Sequence, residues 1–409
     1  MIPFSPPRID EKIIAEVTAA LKSGWITTGP RTKKFEKELA AFCSVENVIC
    51  LNSATAGLEI MLRWFGVGEG DEVIIPAYTY SATANVVIHC GAKPILVDAD
   101  KDFNIATDQI AHAITAKTKV IMPVDIGGLP CDYDAIYKII NDSKIKALFN
   151  PNNKKQEDLG RIMLLSDAAH SIGASYENKK TGNWADASVF SFHSVKNLTT
   201  AEGGAIALNF PAPFSNEEIY KFLCIYTLHG QNKDALAKMQ KGNWRYDIVE
   251  AGYKCNMTDL MAAIGLVELA RYESETLPKR KKICEAYTEY FKQFKWAELP
   301  TFQDDKTHTE SSYHLYQLRI KNITEIQRDH SLQNIFDKDV SVNVHFIPLP
   351  MLTYYKNLGY DIKDYPVAYD NYSREISLPV FFDLTDEMVD VVCKAVADSV
   401  KDILEGKSY

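Results

Sequence analysis

Lys196 lies in a segment where a lysine could do covalent chemistry. It follows the apolar run of residues 188–191 and precedes the glycine pair 203–204, which leads into a second apolar run. Upstream, the apolar run of residues 162–165 is followed by Asp167. A buried lysine amine can bond a carbonyl group, and a buried carboxylate can keep a nearby ring nitrogen protonated. Both residues follow strand-like runs, which indicates a cofactor that requires both.

Pyridoxal 5'-phosphate (PLP) has this requirement, because its aldehyde condenses with lysine and its ring nitrogen must stay protonated. Its phosphate needs a third feature. Residues 52–57 form a turn of small residues between a strand-like run and a helix-like run. N–H groups at the start of a helix favour an anion, although small residues also begin many helices that bind nothing. This turn, Asp167 and Lys196, in that order, predict a PLP site.

Short segments spread along the chain in a fixed order carry a family resemblance. They are residues 29–36, 52–55, 68–76, 78–85, 91–98, 166–170, 190–204, 252–260, 345–349 and 377–379. In this order they resemble the DegT/DnrJ/EryC1/StrS sugar aminotransferases, PLP enzymes of the aspartate aminotransferase fold (fold type I). The resemblance extends over nearly the whole chain, and its segments are specific as an ordered set.

The resemblance implies roles around the cofactor ring. Lys196 is expected to form the Schiff base with PLP and then to move a proton between the substrate carbon and the cofactor carbon. Asp167 is expected to pair with the pyridine nitrogen, His170 to lie near the ring hydroxyl, and Tyr80 to stack on the ring face.

The resemblance also implies a phosphate site. Ser53 and Ser191, with the backbone at Ala54 and Thr55, are expected to hold the phosphate. A residue from the partner subunit is expected to complete this site.

That partner residue is either Lys254 or Asn256. The chain has Lys-Cys-Asn where the family commonly has Asn-x-Arg, so the resemblance leaves both open. His345 corresponds to a family position that crosses the dimer interface toward the nucleotide sugar, and Phe346 replaces the usual tyrosine there. His193 and His345 are the expected substrate-binding residues. The resemblance therefore implies a homodimer with shared active sites.

Each residue also has a structural interpretation. Asp167 could cap a helix that follows its strand, and His170 could satisfy a buried carbonyl group. Tyr80 could be a core or surface residue, and Ser191 could face solvent from an alternating strand. Histidines such as His193 are often structural.

The resemblance predicts an aminotransferase that moves an amino group from L-glutamate to a nucleotide-linked keto-deoxysugar. Products of this kind feed surface polysaccharide or other aminosugar synthesis. Three other interpretations stay open: a sugar dehydratase, an amino-acid or small-ketone aminotransferase, and a regulatory protein without turnover. Relatives that dehydrate sugars replace the lysine with histidine, so Lys196 argues against the first.

Composition limits the class of protein. The chain has 409 residues, 46% of them hydrophobic, and a net charge of −9, which argues against nucleic-acid binding. Its start lacks a basic region followed by an apolar stretch, and no apolar run is long enough to span a bilayer. Its eight cysteines have neither disulfide-framework nor zinc spacing, so no metal site is expected. We expect a cytoplasmic enzyme.

Apolar runs alternate with helix-like stretches through the first part of the chain. This order predicts an α/β fold with a parallel sheet covered on both faces, and ligands beyond the carboxyl ends of its strands. The family resemblance implies a mostly parallel seven-stranded sheet between helices. We expect a large PLP-binding domain at residues 1–278 and a smaller α+β domain at residues 279–409. Pro278 should break or bend the helix there. Residues 141–161 are polar and predict an exposed, irregular loop.

Overall fold

The computed structural model describes residues 1–232 and 245–406. Their centre is a seven-stranded sheet. In order across the sheet, its strands are β1 (Asn47–Leu51), β9 (Gly204–Leu208), β8 (Ala187–Ser191), β5 (Met163–Asp167), β4 (Thr118–Ile121), β2 (Glu72–Pro76) and β3 (Lys93–Val97). Strand β9 is antiparallel to both of its neighbours, and the other adjacent pairs are parallel. The predicted mostly parallel sheet is confirmed.

Helices surround this sheet and continue into the C-terminal part of the chain. They are α1 (Glu11–Lys22), α2 (Pro30–Cys43), α3 (Ala54–Phe65), α4 (Ser81–His89), α5 (Thr107–Ala113), α6 (Tyr133–Asn141), α7 (Ser143–Leu148), α8 (Lys154–Leu159), α9 (Asn216–Tyr226), α10 (Asp259–Ala270), α11 (Leu277–Phe291), α12 (Glu325–Phe336), α13 (Thr353–Asn357), α14 (Pro366–Arg374) and α15 (Asp386–Leu404).

The two faces of the sheet have separate apolar cores. Successive side chains of a strand point to opposite faces. In β2, Val73 and Ile75 therefore join the core that includes α3 and α4. Ile74 points the other way, into the core that includes Ile110 of α5 and Ile136 of α6. Burial on both faces explains why these strands are almost entirely apolar.

A three-stranded sheet organises the C-terminal part of the chain. Its strands, in order, are β10 (Ala297–Glu298), β13 (Tyr316–Ile320) and β14 (Glu375–Leu378). Helices α11 and α15 bury their apolar faces against it. The short strands β11 (Gln303–Asp304) and β12 (Thr309–Glu310) instead pair toward β6 (Ser175–Tyr176) and β7 (Lys179–Lys180) from the N-terminal part of the chain. The division at residue 278 stays a prediction.

Two local expectations have different outcomes. Residues 141–161 are not an irregular loop, because α7 and α8 form there, each with a side-chain cap: Asp142 accepts from Lys144 N, and Asn153 accepts from Lys155 N. The helix break expected at Pro278 lies earlier in the chain, after Ala270. Helix α10 ends before a wide turn at Tyr272–Thr276, and Pro278 lies in the first turn of α11, where a missing N–H costs nothing.

Within residues 1–232 and 245–406, the helices are too short or too polar to cross a membrane.

Candidate active site

A cavity of about 380 Å³ opens where β5 and β8 end. Parallel strands place their carboxyl ends at one edge of the sheet, and ligands collect beyond that edge. The side chains that meet there come from distant parts of the sequence. Of the residues expected to bind PLP or substrate, the cavity is lined by Ser53, Ala54, Thr55, Tyr80, Asp167, His170, Ser191, His193, Lys196 and His345.

Asp167 is the last residue of β5 and is 5% exposed. Its Oδ2 accepts a hydrogen bond of 2.9 Å from the Thr83 hydroxyl, and its Oδ1 accepts one of 3.3 Å from Ala169 N. Burial raises the pKa of Asp167, which these two bonds and the nearby Lys196 oppose. A cation in the cavity would stabilise the ionised carboxylate.

Lys196 lies on the loop that joins β8 to β9. The loop is closed at its base, because Phe192 N donates to Gly203 O and Thr200 N donates to Phe192 O, both at 2.9 Å. Lys196 N donates to His193 O at 2.9 Å. Burial lowers the pKa of Lys196 to about 8, although the carboxylate of Asp167 acts in the opposite direction. The amine is therefore partly uncharged near neutral pH, as a nucleophile must be.

The N-terminus of α3 forms another wall. Ser53 caps the helix by accepting from Ala56 N at 3.1 Å. The N–H groups of Ala54 and Thr55 belong to the first turn, where N–H groups have no partner inside the helix. A Cβ on Gly204 would lie 2.4 Å from Ala54 N, so only glycine lets β9 come this close to the helix start.

His170 is buried beside His314, with 4.4 Å between the ring centroids. Burial, with Lys196 nearby, holds the pKa of His170 well below its ordinary value, so the ring is neutral. Its Nδ1 accepts a hydrogen bond of 3.2 Å from Gly127 N, which leaves the proton on Nε2. His170 can therefore donate a hydrogen bond from Nε2.

Aromatic residues and His193 form the outer part of the cavity. Tyr80 is 62% exposed and its ring centroid is 5.9 Å from that of Phe346, so the tyrosine is not a core residue. The N-terminal residues Phe4 and Ser5 also line the cavity. His193 lies with Nε2 3.6 Å from Glu202 Oε1.

His345 lines the cavity of its own chain, with Lys196 among the charges that act on it. The expected role of His345 at the dimer interface stays a prediction. Within the chain, His345 Nδ1 is 2.9 Å from Ser377 Oγ, and His345 O accepts from Gln317 Nε2 at 2.8 Å. These bonds hold His345 to β13 and β14 of the same chain.

Lys254 and Asn256 are not among the residues that line this cavity in the described chain. Their side chains hydrogen-bond to each other, and Asn256 Nδ2 donates to Thr28 Oγ1 at 2.5 Å. Their assignment to the phosphate of a partner subunit stays a prediction.

Several residues that form or support the cavity could not be recognised from the sequence. Thr83 bonds Asp167 and lies four residues after Thr79, a spacing that places both hydroxyls together, at 2.9 Å, around the start of α4. His314 follows a serine pair just before strand β13, where no pattern distinguished it. Phe4 could not be recognised from its local sequence, because its position depends on the N-terminal segment reaching the C-terminal part of the chain, where Ile2 pairs with Val340.

The donor set fits PLP. A buried carboxylate with only neutral hydrogen-bond donors matches a protonated ring nitrogen, and a lysine amine with a lowered pKa matches an aldehyde. The unpaired N–H groups at the start of α3, with Ser191 beside them in the cavity wall, match a phosphate. Lys196, Asp167, His170, Ser191 and the first turn of α3 would hold the cofactor.

Known proteins resemble this chain over nearly its whole length. The profile of the DegT/DnrJ/EryC1/StrS aminotransferase family matches residues 7–150 and 154–397. The spore coat polysaccharide biosynthesis protein SpsC of Bacillus subtilis is 36% identical over 405 residues, which are 98% of this chain and 97% of SpsC.

Solved structures give the same result. Spr1654 of Streptococcus pneumoniae is described as a sugar aminotransferase, and structures of its PMP form and its PLP form are known. The PMP form superposes on this chain with a TM-score of 0.94 at 45% identity, over 98% of this chain and 100% of Spr1654. PseC of Helicobacter pylori, an aminotransferase of pseudoaminic acid biosynthesis, superposes with a TM-score of 0.85 at 26% identity over 98% of this chain and 99% of PseC.

These matches confirm the expected fold, the PLP cofactor and the enzyme class, a PLP-dependent sugar aminotransferase. The chain belongs to the DegT/DnrJ/EryC1/StrS aminotransferase family.

Proposed function

We propose that this aminotransferase takes its amino group from L-glutamate and delivers it to the keto carbon of a nucleotide-linked deoxysugar. The observation that carries the proposal is the combination of groups in one cavity. Beyond Lys196, the walls offer imidazoles at His193 and His345 and aromatic rings at Tyr80 and Phe346. Imidazoles can bond hydroxyl groups, and aromatic rings can pack against a sugar or a base.

The chain's own residues can support amino transfer in both directions. When bound, PLP supplies a carbonyl group that bonds amines and a ring that accepts electrons. Lys196, with its pKa lowered to about 8 by burial, can accept and return a proton near neutral pH. Asp167 would hold a proton on the ring nitrogen, and His170 can donate a hydrogen bond from Nε2. The start of α3 would hold the phosphate and so would help to position the cofactor.

The wider setting is also proposed. SpsC is named for spore coat polysaccharide biosynthesis and PseC for pseudoaminic acid biosynthesis, and we infer a comparable role in the synthesis of a surface polysaccharide or another aminosugar product. We further propose a cytoplasmic homodimer whose subunits share their active sites. Support comes from Lys254 and Asn256, whose polar side chains lie apart from the cavity of their own chain.

The donor is tested first. PLP-loaded protein mixed with L-glutamate alone should release one equivalent of 2-oxoglutarate per subunit. Lys196→Ala should release none. Lys155→Ala is the matched control, because burial also lowers the pKa of Lys155, which lies outside the cavity and donates to Trp64 O at 2.7 Å. Failure of the wild type would exclude glutamate as donor.

The acceptor is tested next with a panel of 3-keto and 4-keto deoxysugar nucleotides, read by the mass of the amino product. The same keto sugars without the nucleotide are the control. Amination of free 2-keto acids, with none of the nucleotide-linked sugars accepted, would contradict the proposed substrate class.

A further inference from the structure

Glu375 and Ser377 lie on the same face of β14, because residues two apart in a strand point the same way. That face meets His345. Ser377 Oγ is 2.5 Å from Glu375 Oε1 and 2.9 Å from His345 Nδ1, and Glu375 Oε2 accepts from His345 N at 3.1 Å. Glu375 and Ser377 are fully buried. The three side chains form an unbroken line of hydrogen bonds from the small-domain sheet to the cavity.

We propose that Glu375, Ser377 and His345 form one proton-transfer chain whose outer end, His345 Nε2, serves the substrate in the Lys196 cavity. Nδ1 is turned toward Ser377, which leaves Nε2 as the ring nitrogen available to a bound molecule. Glu375 and Ser377 are positioning residues in this scheme, because they act through His345. The inference rests on the proposed function for the identity of the substrate. The proton-transfer chain itself can be tested without a substrate.

The proton-transfer chain formed by Glu375, Ser377 and His345 has two states that differ by one proton. With Glu375 ionised, Ser377 donates to Oε1 and His345 donates from Nδ1, so Nε2 accepts. With Glu375 protonated on Oε1, each bond reverses: Glu375 donates to Ser377, Ser377 donates to Nδ1, and Nε2 carries the proton. The proton is on Oε1 because Oε2 is occupied by His345 N–H.

Passage between the states conserves atoms and charge. A substrate hydroxyl or ammonium group gives a proton to Nε2, Nδ1 releases its proton to Ser377 Oγ, and the Ser377 proton moves to Glu375 Oε1. Three bonds to hydrogen break and three form, and the charge lost from the carboxylate appears on the substrate. The reverse passage returns the proton. Amino transfer to a keto carbon expels the keto oxygen as water, so protons must move at that oxygen as well as at the carbon that Lys196 serves.

Burial and the surrounding charges set the pH at which Glu375 ionises, and with it the change between the two states of the proton-transfer chain. Burial raises the pKa of Glu375 to about 8, opposed by the bonds from Ser377 and His345 N and by Arg328 of α12 and Arg319 of β13. Tyr78 faces the same carboxyl from the large domain.

The pKa of His345 depends on a different set of groups from that of Glu375. Burial, and then Lys196, lower the pKa of His345 to about 3. His170 and His314 also lie near it, and both have a pKa well below the ordinary value. The imidazole therefore stays neutral, and only the position of its proton changes when Glu375 ionises.

The experiment reads the tautomer directly. PLP-loaded protein labelled with nitrogen-15 histidine contains nine histidines, and His345→Gln identifies the signals of His345. In the wild type, the proton should move from Nε2 to Nδ1 as the pH rises through about 8. In Glu375→Gln the amide oxygen must accept His345 N–H, so its NH₂ group donates to Ser377. This variant should stay in the Nε2–H form at every pH.

Ser377→Ala interrupts the proton-transfer chain and should abolish the pH-dependent change in the His345 tautomer. Ser373→Ala is the control for loss of a buried hydroxyl, because Ser373 bonds Asp370 O and does not line the cavity. A His345 that keeps one tautomer in the wild type from about pH 6 to pH 10, or that still switches in Glu375→Gln, would overturn the proposal. Neither outcome depends on glutamate or a sugar. Failure of the proton-transfer proposal can therefore be distinguished from failure of the proposed function.

Discussion

The hydroxyl of Thr83 donates a hydrogen bond of 2.9 Å to Oδ2 of Asp167, and so connects the first turn of α4 to the end of β5. Thr83 is fully buried, and its oxygen also pairs with the Thr79 hydroxyl at 2.9 Å. The bond favours the charged form of a carboxyl whose pKa is raised by burial. Thr83 therefore helps Asp167 to remain an anion, as the proposed pairing with a protonated ring nitrogen requires.

Thr83→Val should weaken PLP binding, because valine keeps the shape of threonine and removes the donor. A hydrogen bond to a charged group contributes about 1.5–3 kcal/mol, so the dissociation constant of PLP should rise about tenfold or more. Thr83→Ser keeps the hydroxyl and should bind within a few-fold of the wild type. Titration of each apoprotein with PLP measures both. Wild-type affinity in the valine variant would refute this role.

Gly204→Ala should disturb the start of α3. The added Cβ would lie 2.4 Å from Ala54 N and 2.5 Å from the carbonyl carbon of Ser53, and backbone atoms cannot move away cheaply. Overpacking of this kind costs about 1–3 kcal/mol, and we expect that loss in the free energy of unfolding together with weaker PLP binding.

Gly68→Ala is the control for Gly204→Ala, because a Cβ there meets nothing within 4 Å. Denaturant unfolding of the two apoproteins compares their stability, and PLP titration compares the site. Equal stability and equal affinity in the two variants would show that β9 does not constrain the helix start.

The capture of PLP by the apoprotein should depend on pH through Lys196. Burial lowers its pKa to about 8, and only the uncharged amine reacts, so the rate should rise about tenfold for each pH unit below that value and level off above it. Asp167 raises the pKa of Lys196, so Asp167→Asn should move the midpoint to lower pH. Stopped-flow absorbance measures the rates. A midpoint near the ordinary lysine value of about 10.4 would contradict this assignment.

Shared active sites predict rescue between two inactive variants. Lys196→Ala lacks the reactive amine, and Asn256→Ala removes a candidate phosphate contact from the neighbouring subunit. After unfolding and refolding together in equal amounts, half of the dimers should be mixed and should each hold one intact site, which gives about one quarter of wild-type activity. Lys254→Ala in place of Asn256→Ala tests the other candidate. Activity no greater than that of the separate variants would exclude sharing through these residues.

Much of the large sheet could be predicted because its strands are buried on both faces. The apolar runs before Asp167 and around Ser191 became β5 and β8. Lys196 and Asp167 were found because they follow such strands, where their positions depend on local sequence. Residues 141–161 were misread because their two helices are short and polar, and capping by Asp142 and Asn153 determines them more than apolar periodicity does.

The remaining contributors could not be predicted, because they reach the cavity through tertiary contacts. Phe4 stacks against His345 with ring centroids 5.4 Å apart, although the two residues are far apart in the sequence. Glu375 and Ser377 look like ordinary residues of a strand, and only the backbone path at His345 brings their side chains into one line. No periodicity within a single segment encodes such a meeting.

The loop that carries Lys196 is fastened at its base by the bonds between Phe192 and Gly203 and between Thr200 and Phe192. Because the loop is fastened, the Lys196 amine would stay close to the reacting carbon of bound PLP throughout amino transfer. Such tethering gives an intramolecular group an effective molarity of roughly 10⁵ M or more when the geometry is favourable. A lysine held in this way would compete with the departing amino product and with water for the reacting carbon, which would return the enzyme to its starting form at the end of each catalytic cycle.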